Sequence, residues 1–164
     1  MKKLLAISSL LSLAFASSAF AASADGTSHV RIVTPIALSS TTTLEFGSIG
    51  ASGTAGTVAI TPAGVVTPGG GVTLLTSGLT RTAGAFNVTG ENNATYSISL
   101  PSSVNLTSGG DTITVNGFSS TPNGTGALSG TGSETLNIGA VLNVSANQNP
   151  GSYNGNYTVT VLYN

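Results

Sequence analysis

The 164-residue chain carries 4 basic and 5 acidic side chains, 22 glycines and no cysteine. So few cations cannot neutralise a row of phosphates, which excludes nucleic-acid binding by counterion release and leaves little attraction to an anionic membrane surface. Without cysteine no disulfide can form, so stability has to come from packing and sheet hydrogen bonds.

Lys2 and Lys3 precede an apolar stretch from Leu4 to Phe15, and Ala19-Phe20-Ala21 follows as a small-x-small cleavage site. Residues 1–21 therefore read as a signal peptide, and residues 22–164 as a single exported domain. That domain keeps Arg31 and Arg81 against Asp25, Glu45, Glu91, Asp111 and Glu134. No later apolar run approaches the ~20 residues of a membrane-spanning helix, so no membrane insertion is expected.

Glycine and proline punctuate the chain at the short spacing of an all-β domain, and the longest stretch without them, Ile36–Phe46, contains Ser39-Ser40-Thr41-Thr42-Thr43. Hydroxyl and β-branched residues of that kind are poor helix formers. Period-2 alternation then predicts strands in order. Val30, Ile32, Ile36 and Leu38 share one parity, and Leu44, Phe46 and Ser48 another. Val58 with Ile60, Thr73-Leu74-Leu75, and Phe86 with Val88 come next. Tyr96, Ile98 and Leu100 follow, then Ile113 with Val115, Leu136 with Ile138, and Val141–Val144. Turns are predicted at Pro68–Gly71, Glu91–Asn93, Ser108–Asp111, Asn116-Gly117, Pro122–Gly124 and Asn149–Gly151.

Catalytic chemistry finds little material. His29 is the single histidine and lies in the N-terminal segment, so a Ser-His-Asp triad has no convincing centre. A zinc site needs three or four His, Cys or acidic ligands. Glu45, Glu91, Asp111 and Glu134 could form a glycosidase pair but read more simply as solvated acids. Gly124-Thr125-Gly126 lacks the Lys-Ser/Thr of a phosphate loop and reads as a turn. The expectation is a protein that is not an enzyme and needs no cofactor or metal.

The last residues alternate most cleanly. Tyr157, Val159, Val161 and Tyr163 share one parity, Thr158, Thr160 and Asn164 the other. Residues 151–164 are therefore expected as a half-buried terminal strand.

This ending resembles the assembly signature of chaperone–usher pilins and fimbrial subunits, a penultimate Tyr with a Gly fourteen residues from the end, here Tyr163 and Gly151. Nearly the whole exported chain also resembles a bacterial secreted family of the DUF 4402 type. That likeness is carried by Val33-Thr34-Pro35-Ile36, Leu44-Glu45-Phe46-Gly47, Gly71–Leu75, Ala94–Pro101 and the Tyr-Thr-Val-Thr-Val-Leu-Tyr-Asn end.

The pilin resemblance implies an immunoglobulin-like antiparallel β-sandwich that is incomplete and completed by a donor strand. It implies self-association, or a periplasmic chaperone and an outer-membrane usher, as partners. Transit through the periplasm to a surface fimbrium is implied as well. Gly151, Tyr157, Val159, Val161 and Tyr163 become the assembly strand, and Val30, Ile32, Ile36 and Leu38 the candidate donor. If the first strand starts at Val30, only Ala22–Ser28 precede it, too few for a separate arm. Residues 22–38 are then either donor or the domain's own first strand. A self-contained secreted sandwich that binds a carbohydrate or cell-surface partner is the alternative. A small outer-membrane β-barrel would need aromatic girdles that the chain's 5% aromatic content does not supply.

Overall fold

The computed structural model describes residues 20–164, so the expected signal sequence lies almost wholly outside the described residues. The chain forms two units, residues 1–32 and 33–164. In the first, residues 20–32 form no strand and are exposed, with Val30 at 88% and Ile32 at 90%. No described helix is long and apolar enough to cross a membrane.

The second unit is an antiparallel β-sandwich. Its strands are β1 (Ala37–Thr42), β2 (Ile49–Gly50), β3 (Gly56–Ile60), β4 (Val66–Gly70), β5 (Thr73–Leu74) and β6 (Gly84–Thr89). They continue as β7 (Thr95–Ser99), β8 (Ser103–Ser108), β9 (Asp111–Thr121), β10 (Thr125–Ala127), β11 (Ser133–Val144) and β12 (Thr160–Tyr163). The first strand thus begins at Ala37, not at Val30. Pro35 has no N–H to give a ladder, so pairing starts after it. Ile36 and Leu38 are partly buried against the core of the second unit, and Val30 and Ile32 belong to the first unit.

Strand β11 is the spine. One edge pairs with β9, which continues to β8; the other pairs first with β6 and then with β3. β1 flanks β6, and β4 flanks β3. The change of partner falls at Gly139, where a β-carbon would collide with the Ile60 carbonyl and come within 2.7 Å of Pro62 N. A glycine lets the end of β3 turn away against β11. From Leu136 onward the alternate residues of β11 are all buried. Leu136 and Ile138 belong to one core cluster, and Ala140, Leu142 and Val144 to the other.

The second sheet has the order β10-β7-β12, with Val161 opposite Ile98 and Tyr163 opposite Tyr96. It packs through Tyr96 and Val161 onto Val88, Leu136 and Ile138. Tyr96 is fully buried, and its hydroxyl donates to Glu134 Oε2 at 2.8 Å, which also accepts from Ala127 N at 2.9 Å. Burial, reinforced by the Glu134 hydrogen bond and charge, holds the Tyr96 phenol well above its ordinary pKa.

One expected turn lies largely, and another wholly, within strand. Pro68–Gly70 belong to β4, an edge strand where a proline leaves no interior ladder bond unmade, and only Gly71 of that expected turn is turn. Asn116-Gly117 lies inside β9, where the register against β11 slips by one residue and Gly117 adopts φ 59°. This is a bulge, and it reverses the parity of the strand. Ile113 and Val115 face inward before it, Phe118 and Ser120 after it. Strands β8 and β10 escape the sequence pattern because serine, threonine, asparagine and glycine dominate them.

Candidate functional site

A cleft of about 1010 Å³ opens into the first core cluster between two stretches of chain, residues 43–51 and 148–157. Neither lip is a regular strand along its length. On the first, Ile49–Gly50 pairs with β5, and Glu45 exchanges two backbone hydrogen bonds of 2.9 Å with Thr82. Arg81 pins this lip: its Nη2 donates to Ser48 O at 2.6 Å and to Leu75 O at 2.8 Å. On the second lip, Asn154 exchanges backbone hydrogen bonds with Thr107 at 2.9 and 3.0 Å. Regular pairing resumes only at Thr160.

The lips run in opposite directions. Leu44 and Tyr157 both flank Gly84 at one end, and Asn147 N donates to Ser52 O at 2.7 Å beyond the other. Between them the floor is apolar: Val104 and Leu106 from β8, Ile113 and Val115 from β9, Leu142 and Val144 from β11. The end nearest Tyr157 is aromatic. Its ring meets Phe86 edge-on with centroids 6.0 Å apart and lies 5.4 Å from Phe118. Burial raises the Tyr157 pKa above its ordinary value, so the neutral phenol is held there.

The expected assembly residues separate. Gly151 and Tyr157 line the cleft. Val161 is buried in the second core cluster and Val159 packs against it. Tyr163 lies apart from the lining: its hydroxyl accepts from Glu91 N at 2.5 Å and donates to Thr34 O at 2.8 Å. The expected terminal strand is correspondingly short, because apart from the single Asn154–Thr107 bridge only Thr160–Tyr163 pairs with a strand. The expected donor set also divides between the exposed pair Val30 and Ile32 and the packed pair Ile36 and Leu38.

Sequence reasoning missed Tyr153, the lip Leu44–Gly50 as a lip, and Phe118. Tyr153 has the wrong neighbours for alternation, being set between Ser152 and Asn154. Phe118 carried a signal, since it follows an Asn-Gly pair that can mark a bulge as well as a turn.

The four acids weighed as catalytic pairs each hold a donor. Glu45 Oε1 accepts from Gly47 N at 3.2 Å, and Glu91 Oε2 from Thr34 N at 3.0 Å. Both Asp111 oxygens accept from Asn149 Nδ2 at 3.0 Å, and Glu134 serves Tyr96 and Ala127.

Residues 36–163 match the family model described as Domain of unknown function (DUF4402). Comparison with the curated proteins gave no match, and comparison with the solved structures gave none.

Proposed function

The chain belongs to the DUF4402 family, and we propose that it is a non-catalytic structural subunit of a bacterial surface fibre, assembled by strand complementation. The observation that carries this reading is the cleft. Two lips with little backbone pairing flank an apolar floor that belongs to the core, and an extended segment laid between them would complete the sheet.

The strand order supports it. One sheet reads β1-β6-β11-β9 and the other has β7 beside β12. An immunoglobulin-type sandwich arranges its strands ABED and CFG. Labelled in chain order, β1, β6, β7, β9, β11 and β12 take the places A, B, C, D, E and F. The G position then lies beside β12, on the edge where no described strand sits, and the segment that leads into β12 is the second lip of the cleft.

The occupant we propose is the N-terminal segment of a second copy. Val30 and Ile32 share a parity with Ala22, Ala24, Gly26 and Ser28, while Asp25, His29 and Arg31 take the other. One face of that segment is therefore apolar or small and the other polar, as a strand between core and solvent requires. Burying Val30 and Ile32 contributes roughly 3–6 kcal/mol, an upper value before ordering is subtracted. Ladder hydrogen bonds along both lips add about 0.5–1.5 kcal/mol each. A head-to-tail contact of this kind propagates as a filament unless its rotation closes a ring. During export a periplasmic chaperone would cover the same cleft until an outer-membrane usher delivers the next copy.

Size-exclusion chromatography with light scattering on the exported chain tests the proposal. Heat- and SDS-resistant ladders, and uptake of a labelled peptide of residues 22–34, are the expected results. A stable monomer at every concentration that takes up no peptide would overturn it.

A further inference from the structure

Tyr163, Glu91 and Thr34 form a closed hydrogen-bonded ring. Thr34 N donates to Glu91 Oε2 at 3.0 Å, Glu91 N donates to Tyr163 Oη at 2.5 Å, and Tyr163 Oη donates to Thr34 O at 2.8 Å. The ring joins residues 57, 72 and 129 positions apart. Local chain geometry therefore cannot account for it. Gly90, immediately before Glu91, makes the room: a β-carbon there would collide with the Tyr163 hydroxyl and lie 3.1 Å from Leu128 Cδ1.

The position of Thr34 gives the ring its meaning. Residues 33–36 belong to no strand, and β1 pairing starts at Ala37. Pro35 has no N–H, so Thr34 is the last residue before it whose donor and acceptor can both be gripped. The ring grips both. Beyond it, residues 20–32 carry the exposed Val30 and Ile32.

We propose that Tyr163 is a positioning residue for the N-terminal arm: with Glu91 it clamps Thr34 and sets the point from which the preceding residues project toward a second copy. This assembly role rests on the strand-donation reading above; the clamp itself does not. A tyrosine in this strand could instead serve as a cleft contact. Tyr153 and Tyr157 line the cleft and Tyr163 does not, its hydroxyl being spent on Thr34 and Glu91. The segment that forms the second lip runs on into β12, so the chain that borders the acceptor cleft also roots the donor arm. Fixing the root beforehand lowers the ordering cost of donation. The clamp therefore acts on the donor side of the contact and leaves the affinity of the cleft alone.

The test compares the full chain with Tyr163→Phe, which keeps the ring and removes the hydroxyl. Hydrogen exchange read by mass spectrometry should show the Thr34 amide opening roughly three- to tenfold faster, the factor expected for the loss of one or two modest hydrogen bonds. Amides of the β7–β12 ladder should keep their protection. SDS-resistant ladders should form more slowly, while uptake of the labelled peptide of residues 22–34 stays at the wild-type level because the peptide brings its own free arm. Unchanged exchange at Thr34 overturns the clamp. Peptide uptake that falls in step with ladder formation overturns the donor-side role and assigns Tyr163 to the cleft. Glu91→Ala, which removes the carboxylate from the other side of the ring, gives the same readout should Tyr163→Phe fold poorly. If the wild-type chain forms no ladders and takes up no peptide, strand donation fails, and the exchange comparison still decides the clamp.

Discussion

Gly84 and Tyr157 are fitted to each other across the sandwich. A β-carbon on Gly84 would collide with the Tyr157 hydroxyl and lie 3.3 Å from Leu44 Cβ. The bare backbone at the start of β6 lets the tyrosine ring settle between Phe86 and Phe118 and close one end of the cleft. Gly84→Ala should then cost roughly 1–3 kcal/mol, as overpacked cores do, and displace the ring into the cleft. A lower urea midpoint together with weaker uptake of the residue 22–34 peptide would bear this out. A drop in midpoint alone would mean that the ring's position is irrelevant to the cleft.

The arm and the first strand should respond in opposite ways to the same charge. Ile32 is 90% exposed, so Ile32→Asp should leave the melting temperature of the monomer within a degree or two while abolishing ladder formation. Ile36 is partly buried against the second core cluster, and Ile36→Asp should lower monomer stability by about 1–3 kcal/mol through lost apolar contact and a partly desolvated carboxylate. Thermal melts with gel electrophoresis of both variants separate the two effects.

At Gly139 any side chain meets backbone, the Ile60 carbonyl and Pro62 N, which cannot swing aside as a side-chain tip could. Gly139→Ala should destabilise the domain by about 2 kcal/mol or more, since both core clusters share β11. Urea denaturation at constant slope measures it, and an unchanged midpoint would show that β3 can shift freely.

Alkaline pH should act through Tyr96. Its native pKa is raised above the ordinary value near 10, first by burial and then by Glu134, so the folded state keeps the phenol neutral. Below pH 10 both states are neutral and the group's contribution is intact. Above it the unfolded chain ionises first, and stability falls as pH climbs toward the raised native value. Tyr96→Phe should flatten part of that decline and cost on the order of 1 kcal/mol at neutral pH through the lost hydrogen bond. The slope that remains belongs in part to Tyr157, whose pKa is raised by burial. Chemical denaturation between pH 8 and 11 tests this, and identical slopes in wild type and variant would refute it.

The amino-acid sequence by itself determined the all-β class, because glycine and proline punctuation removes helix and period-2 alternation marks strands such as Tyr96–Leu100 and Leu136–Val144. It also singled out Val30, Ile32 and Tyr157 by parity, a property local to the chain. Tertiary structure decided what parity cannot encode. Partner choice along β11, the reversal of facing at the Gly117 bulge and the packing of Ile36 apart from Ile32 all depend on residues distant in sequence. So does the Tyr163–Thr34 contact, across 129 positions. The cleft is of the same kind. Its two lips lie about a hundred residues apart, and a cleft between them leaves no mark in either, because which segments face each other is a property of the assembled fold.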